Sequence, residues 1–340
     1  MAHRVMRLRN LRVLVTGGAG FIGCEVVRQL LEVGAVVTVV DNLVNGKREN
    51  LADLPSDRFC LEIVDIRDTA RTRPLLENTE VVLHLACLGV RHSIHSPLEN
   101  HAVNATATLQ LLELARQAGV QRFVYVSSSE IYGTAQGVPM TEQHSAWPMT
   151  VYGAAKLAGE RYTDAYWRTY HFPAVVVRPF NAFGPRSHHE GDSGEVIPKF
   201  MLRAMVGRPL IIHGDGTQTR DFTYVSDTAR GILLAAAAEQ ATGATINLGS
   251  GTETSINTLA ELVGAAVGRN RVEHEYRPPR PGDVMRLCAD SRKASELLGF
   301  APQVGLQEGL VRLKTWYENS GLAPEVLLAE EIETNWQRPG

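Results

Sequence analysis

Tyr152 and Lys156 stand four residues apart in a stretch of helical spacing, so both side chains leave one helix face and their polar ends can converge. A phenol titrates near ~10 in water, too high for a base at neutral pH, but an adjacent ammonium favours its anion. Such a pair suits removal of a proton from an alcohol undergoing oxidation. Tyr-x-x-x-Lys alone is a common coincidence on helix surfaces. It gains weight here because Ser127, Ser128, Ser129 and Glu130 precede it, at the end of an apolar run over 123–126 that reads as a strand.

Oxidation needs a hydride acceptor, and the start of the chain offers a place for one. Val13, Leu14, Val15 and Thr16, with Leu11 before them, read as a buried strand, and Gly17, Gly18, Gly20 and Gly23 crowd the turn behind it. Ile22, Val26, Val27, Leu30 and Leu31 then recur at helical spacing until Gly34. Glycines suit such a turn because a pyrophosphate must approach backbone N–H groups at a helix N-terminus, where a Cβ would hold it off. A second apolar run, 36–40, ends in Asp41, whose carboxylate can accept from both ribose hydroxyls of NAD and repels a 2′-phosphate. NAD is expected over NADP, with Lys47 and Arg48 the nearby residues that could favour the phosphate. A turn opened by Asp41 with Asn42 is compatible with the same role.

These groups must be positioned by the elements between them. Further apolar runs at 61–64, 81–85 and 174–177 alternate with helical patterns over 98–118 and 150–170, which predicts a parallel sheet covered on both faces. On the first of those helices Val103, Ala107, Leu111, Leu114, Ala115 and Ala118 form the expected core face. After Asn181 the regular alternation gives way to a loop over 184–194 and shorter elements. The expected fold is α/β: a Rossmann-type doubly wound parallel sheet over 1–180, a smaller α/β substrate-binding domain over 181–323 with some chain crossover, and a polar appendage over 324–340.

With 340 residues, 44% of them hydrophobic, the chain can bury one large core or two modest ones. A net charge of −3 gives no electrostatic reason to expect nucleic acid as a partner. No apolar run approaches a membrane span and no hydrophobic signal region precedes the first strand, so a cytoplasmic protein is expected. Cys24, Cys60, Cys87 and Cys288 lack metal-site or disulfide spacing and are expected as small buried residues. His92 with His95, and His188 with His189, have no supporting carboxylate pattern, so no metal is expected. Glu330, Glu331 and Glu333 make the appendage a surface or packing segment rather than a catalytic one.

Taken in order, Thr16-Gly-Gly-Ala-Gly-Phe-Ile-Gly23, Asp41-Asn-Leu, Asp65-Ile66, His84-Leu-Ala, Tyr152-Gly-Ala-Ala-Lys156, Arg178-Pro-Phe-Asn181, Gly214-Asp-Gly-Thr-Gln-Thr-Arg-Asp221, Tyr224-Val-Ser-Asp227 and Arg280-Pro-Gly-Asp283 resemble the extended short-chain dehydrogenase/reductases, in the branch of nucleotide-sugar epimerases, dehydratases and decarboxylases. The resemblance covers all but the appendage. It implies that Gly17, Gly20 and Gly23 hold the NAD pyrophosphate, Asp41 the adenosine ribose, and Asp65 with Ile66 the adenine. It assigns Phe21, Ile22, Asn42, Ala86 and Pro179 to the cofactor side as well. Ser128 would hydrogen-bond the sugar oxygen at C4, Tyr152 would be the base, and Lys156 its electrostatic partner. Asn181, Arg186, Val196, Arg220, Arg280 and Asp283 would bind the nucleotide-diphosphate sugar, the arginines because a dianionic diphosphate favours guanidinium forks. The long helices resemble those that form a four-helix dimer interface, so a homodimer is expected.

All members of this branch begin by making a 4-keto sugar, and they differ in the step after it. An epimerase returns the hydride to the opposite face, a 4,6-dehydratase needs a base for the C5 proton and an acid for the C6 hydroxyl, and a uronate decarboxylase needs little beyond the ketone. Glu130, two residues before Tyr132, occupies the place where eliminating relatives carry a glutamate. Ser129 stands where dehydratases of the thymidine type carry an aspartic acid. The Asp41-Asn-Leu opening, the triple serine and Arg280-Pro-Gly-Asp283 are similar to 4-epimerases of UDP-sugars, so 4-epimerisation is expected, with Glu130-dependent dehydration or decarboxylation as the alternative. A non-catalytic NAD-binding regulator would not need Ser128, Tyr152 and Lys156 together.

Overall fold

Apolar runs with no polar alternation have nowhere stable to sit except between two covering layers, and the computed structural model places them there. It describes residues 2–55, 57–269 and 271–337. Among the described residues twelve strands occur in chain order: β1 (Arg12–Thr16), β2 (Val36–Asp41), β3 (Phe59–Ile63), β4 (Val81–His84), β5 (Arg122–Val126), β6 (Ala174–Pro179), β7 (Asn181–Phe183), β8 (Leu210–His213), β9 (Thr219–Tyr224), β10 (Thr245–Leu248), β11 (Glu253–Ser255) and β12 (His274–Arg277). Seven of them form one sheet in the order β3-β2-β1-β4-β5-β6-β10. Every pairing in it is parallel. The order reverses between β1 and β4, the switch point at which ligands of open α/β sheets bind.

One face is covered by the helix Phe21–Glu32 through Val26, Val27 and Leu30, and by Val225–Ala237, an alanine-rich helix buried along its length. The other face is covered by Ala107–Gln117 through Leu111, Leu112, Leu114 and Ala115, with Tyr162 and Tyr166 of the helix Val151–Tyr170 packed against the same core. Strand β10 lies beyond residue 181 in sequence yet completes the sheet beside β6, through Thr245↔Val176 to Leu248↔Pro179. The second half of the chain therefore contributes an edge strand and a covering helix to the first half. Its own core gathers Phe183, Phe200, Met201, Leu210, Leu259, Leu310 and Tyr317 beside the sheet β11-β9-β7 and the pair β12-β8.

Three expectations are corrected. The third strand runs over Phe59–Ile63, two residues ahead of the apolar run, because it pairs Phe59 with Val37 at a half-exposed sheet edge where apolarity is a poor guide. The helix expected over 98–118 is interrupted by a π-helical turn, Ala102–Thr106, and Ala118 is exposed at its C-terminal end. Among the cysteines Cys24 and Cys288 are buried, whereas Cys60 is exposed on the edge strand and Cys87 is half-buried on the wall of a cleft. Of the two roles open to the acidic appendage, the structure shows packing, with Glu331 and Glu333 turned onto the buried Arg203.

Candidate active site

A cleft of about 500 Å³ opens along the C-terminal ends of the central strands. Its floor at one end is the glycine turn after β1. Gly17 has φ +69°, and a Cβ on it would stand 2.8 Å from the Ala86 backbone after β4, so two strand ends meet here only through glycine. A Cβ on Gly23 would collide with the Gly17 carbonyl, which locks the helix Phe21–Glu32 onto the turn. A Cβ on Gly20 would meet only the Gly17 carbonyl, at 3.2 Å, and would otherwise occupy the cleft. No side chain caps the helix that starts at Phe21, and Phe21, Ile22 and Gly23 line the cleft, so first-turn N–H groups remain for an anion.

Asp41 ends β2 on the same wall. One carboxylate oxygen accepts from the Ala19 N–H at 3.0 Å and the other from the Leu43 N–H at 2.9 Å. Each oxygen keeps a further lone pair, so the turn-forming and ribose-binding roles are compatible. Asp65 is held more fully: Arg67 donates to it from its backbone N–H and its guanidinium, and Asn42 donates at 2.9 Å. These contacts, Arg67 foremost, bring its carboxyl down to about 2. Ile66, Ala86 and Pro179 line the cleft beside them. Lys47 is engaged by Glu190 at 2.7 Å. The residues present thus fit NAD: a cradle closed to any Cβ, free helix N–H groups and an acidic ribose acceptor.

The chemistry-bearing residues meet midway along the cleft. Thr150 caps the helix Val151–Tyr170 by accepting the Gly153 N–H, and Tyr152, Lys156 and Glu160 occur at successive turns on one face. The Lys156 ammonium donates to the Val126 carbonyl at the end of β5, 2.8 Å away, and lies 5.2 Å from the centre of the Tyr125 ring. Glu160 takes both forks of Arg178 on β6, at 2.8 and 2.7 Å, with both side chains buried. The helix is thereby pinned to two strands, and its pitch fixes Tyr152. It shares the cleft wall with Ser128; burial and the neighbouring Cys87 hold the phenol well above its ordinary value, while Ser128 pulls it down. Beneath, His84 bridges Thr16 at 2.7 Å and Thr108 at 2.9 Å, and burial lowers it to about 3, so it is a neutral strut.

The far end of the cleft is guanidinium-lined. Arg220 on β9 and Arg280 both reach Asp283, at 2.5 and 3.3 Å. Arg91 joins them from the helix Val90–His95, and burial with Arg280 nearby lowers it to about 10. The Nε atoms of Arg91 and Arg280, the Ser127 Oγ and the Asn181 Oδ1 are buried with no hydrogen-bond partner. Unsatisfied buried groups in a cleft point to a ligand that completes them. Two carboxylates face the same space. Burial raises Glu130, against the pull of Arg220, and its carboxylate accepts no hydrogen bond among the described residues. Burial raises Glu195 to about 7, against His188 and Arg91. Val196 begins the helix Val196–Val206 on the same wall.

Of the residues to which the resemblance assigns a role, Arg186 alone is absent from the cleft lining. Its φ is +69° and its guanidinium meets Asp53 at 3.3 Å. Sequence reading passed over Arg91 and Glu195. An arginine placed shortly after a strand end at the switch point was the available signal for the first; nothing local marks Glu195. Among the described residues no group of His, Cys, Asp or Glu could hold a metal ion, and no helix is long and apolar enough to cross a membrane.

A cleft with a glycine cradle at one end, guanidinium groups at the other and a lysine-backed phenol between them defines an extended short-chain dehydrogenase/reductase. Comparison with known proteins agrees: the family described as GDP-mannose 4,6 dehydratase matches residues 14–313, and the chain belongs to it. The UDP-glucose 4-epimerase of Mycolicibacterium smegmatis is 38% identical over 313 residues, 91% of this chain and 99% of that one. Among solved structures, the epimerase Mth375 of Methanothermobacter thermautotrophicus superposes with a TM-score of 0.90 at 35% identity, covering 97% of each chain. The dTDP-glucose 4,6-dehydratase DesIV of Streptomyces venezuelae, solved with NAD bound, superposes with a TM-score of 0.86 at 33% identity over 91% of this chain and 97% of that one. The chain is an enzyme of the nucleotide-sugar epimerase, dehydratase and decarboxylase family.

Proposed function

We propose that the chain is a 4-epimerase of a UDP-linked sugar, working through a transient 4-keto intermediate. The cofactor is NAD, which when bound supplies a hydride acceptor and donor and a cation that favours the Tyr152 anion. Gly17, Gly20, Phe21, Ile22 and Gly23 hold its pyrophosphate, Asp41 and Asn42 its ribose, and Asp65 with Ile66 its adenine. Ala86, Pro179, Tyr152 and Lys156 border the nicotinamide end. Ser128 orients the C4 hydroxyl, Tyr152 takes its proton and later returns it, and Lys156 supplies positive charge beside the phenol from its anchor on Val126. Asn181, Val196, Arg220 and Arg280 hold the nucleotide diphosphate, with Asp283 setting the two guanidinium groups in place.

The observation that carries this reading is the buried Ser129 on the cleft wall, which offers no carboxylic acid to expel a C6 hydroxyl. A second reading, dehydration or decarboxylation, is favoured by Glu130, whose unpartnered carboxylate faces the cleft. Product mass separates the two. Incubation with UDP-glucose, UDP-N-acetylglucosamine, UDP-glucuronate and thymidine- or GDP-linked hexoses is expected to give an isomer of unchanged mass from a UDP-sugar. Loss of water or of carbon dioxide would replace the epimerase reading with the second one.

The same reading includes a homodimer built on the two long helices. Leu98, 87% exposed, and Leu109 and Val151 stand at the surface on these elements, with Trp147 close by. Sedimentation should give twice the 37.3 kDa chain mass.

A further inference from the structure

The segment after residue 323 lies beyond the stretch that matches the family, and it contributes Trp336 to the cleft lining. Leu327 and Leu328 of the helix Pro324–Leu328 bury into the second core. Glu331 and Glu333 then meet the buried Arg203 of the helix Val196–Val206 at 2.8 and 3.0 Å, and Lys199 of the same helix donates to the Ile332 carbonyl at 2.7 Å. Asn335, 2% exposed, donates to the carbonyls of Gly191, Asp192 and Gly194 at 3.4, 3.2 and 3.0 Å. These contacts fix the segment to both the loop and the helix that border the substrate. They deliver Trp336 to the cleft wall, its ring edge-on to His213 on β8 at 4.8 Å between centres.

A sugar held at Ser128 and Tyr152 and a diphosphate held at Arg220 and Arg280 leave one direction for the nucleoside: onward, past the guanidinium groups. There Val196, Ile256 and Trp336 stand among charged groups that include Arg280, Lys199 and Arg203. A side pocket of about 50 Å³, lined by His213, Gln218 and Trp336, shares Arg280 with the main cleft. A large indole beside Val196 and Ile256 and next to guanidinium groups suits a planar heterocycle, since every base has a face that stacks on an aromatic ring.

We propose that Trp336 is the wall on which the nucleobase of the substrate lies, so that the C-terminal segment is part of the nucleotide site. The proposal rests on the nucleotide-sugar reading. Calorimetric titration of the NAD-loaded protein with UDP, thymidine diphosphate and GDP, and with inorganic pyrophosphate as a probe without a base, tests it. The wild type is expected to bind at least one nucleoside diphosphate more tightly than pyrophosphate. Trp336→Ala should weaken that nucleotide about ten-fold and leave pyrophosphate binding and NAD content unchanged, while Trp336→Phe restores most of the loss. An unchanged nucleotide affinity in Trp336→Ala, or an equal loss for both probes, would overturn the role of Trp336 alone. A wild type that binds none of the three nucleotides better than pyrophosphate would overturn the nucleotide-sugar reading and this proposal with it.

Discussion

The two ends of the cleft differ in how far their polar groups are already satisfied. At the cofactor end Asp41 accepts two backbone N–H groups, Asp65 is wrapped by Arg67 and Asn42, and His84 bridges two threonines. At the substrate end Arg91, Arg280 and Asn181 keep unpartnered buried atoms, and Glu130 and Glu195 are carboxylates that burial drives toward the neutral form. The carboxylates of the first end are already paired within the protein; the buried orphan atoms of the second point to what it binds. An enzyme that retains its cofactor and exchanges its substrate needs this division, because groups already paired cost nothing to reorganise and unpaired ones give the incoming ligand its affinity.

Tyr152 sits at the seam, and its loss should have the largest effect. Tyr152→Phe keeps the ring and removes the proton acceptor, so kcat should fall by about 10²–10⁴ while NAD stays bound. Stopped-assay turnover with cofactor absorbance on the same sample checks both halves, and retained turnover would remove Tyr152 from the chemistry.

The next largest effect should come from breaking the buried pair that pins the Tyr152 helix to β6. Glu160→Gln leaves the Arg178 guanidinium buried without its counter-charge, with the glutamine amide oxygen, the Tyr132 hydroxyl and the Glu142 carbonyl as uncharged acceptors. Breaking a buried pair from one side costs about 3–5 kcal/mol. Urea unfolding should show that loss, and a change under about 1 kcal/mol would mean that the pair contributes no more than a surface one.

At the unsatisfied end the sign reverses. Glu195 is raised from 4.5 to about 7 by burial, so the folded state holds a proton there that the unfolded chain releases above pH 4.5. Its contribution to stability is therefore present below pH 4.5 and lost as pH rises to about 7. Glu195→Gln should raise the urea midpoint at pH 8 and leave it unchanged at pH 4.5. Stabilisation that is equal at both pH values would place the effect outside this titration.

How much of this division was legible in the sequence depends on the range of the interactions. The glycine turn, Asp41 and the Tyr152–Lys156 spacing are written within single elements, and the sheet that carries them is written in runs of apolar residues. The satisfied end is local, and it was read. The substrate end is assembled across the chain: Arg91 comes from the fourth βα connection, Arg220 from β9, Arg280 from a loop, and Trp336 from the last turn of the described chain. No period or spacing links such residues, so only those inside recognisable motifs were found. Arg186 shows the converse, a motif-like position whose guanidinium meets Asp53. The edge strand β10 escaped for the same reason, since its place beside β6 is set by tertiary packing rather than by sequence neighbours.

The smallest effect is expected at the residue that separates the possible reactions. Glu130 faces the cleft without a partner, and Ser129 beside it is buried and carries no acid. Epimerisation asks nothing of a carboxylate there, because the proton that leaves C4–OH returns through Tyr152 and no bond at C5 or C6 breaks. Glu130→Gln removes a charge that desolvation already penalises and keeps the volume, so kcat should stay within about three-fold, while a base for elimination is worth about 10²–10⁴. A collapse of that size, with NAD and substrate binding intact, would make Glu130 a working base and move the chain from epimerisation to elimination. A small change would leave it as a wall residue whose charge is tuned by Arg220, Arg280 and Arg91.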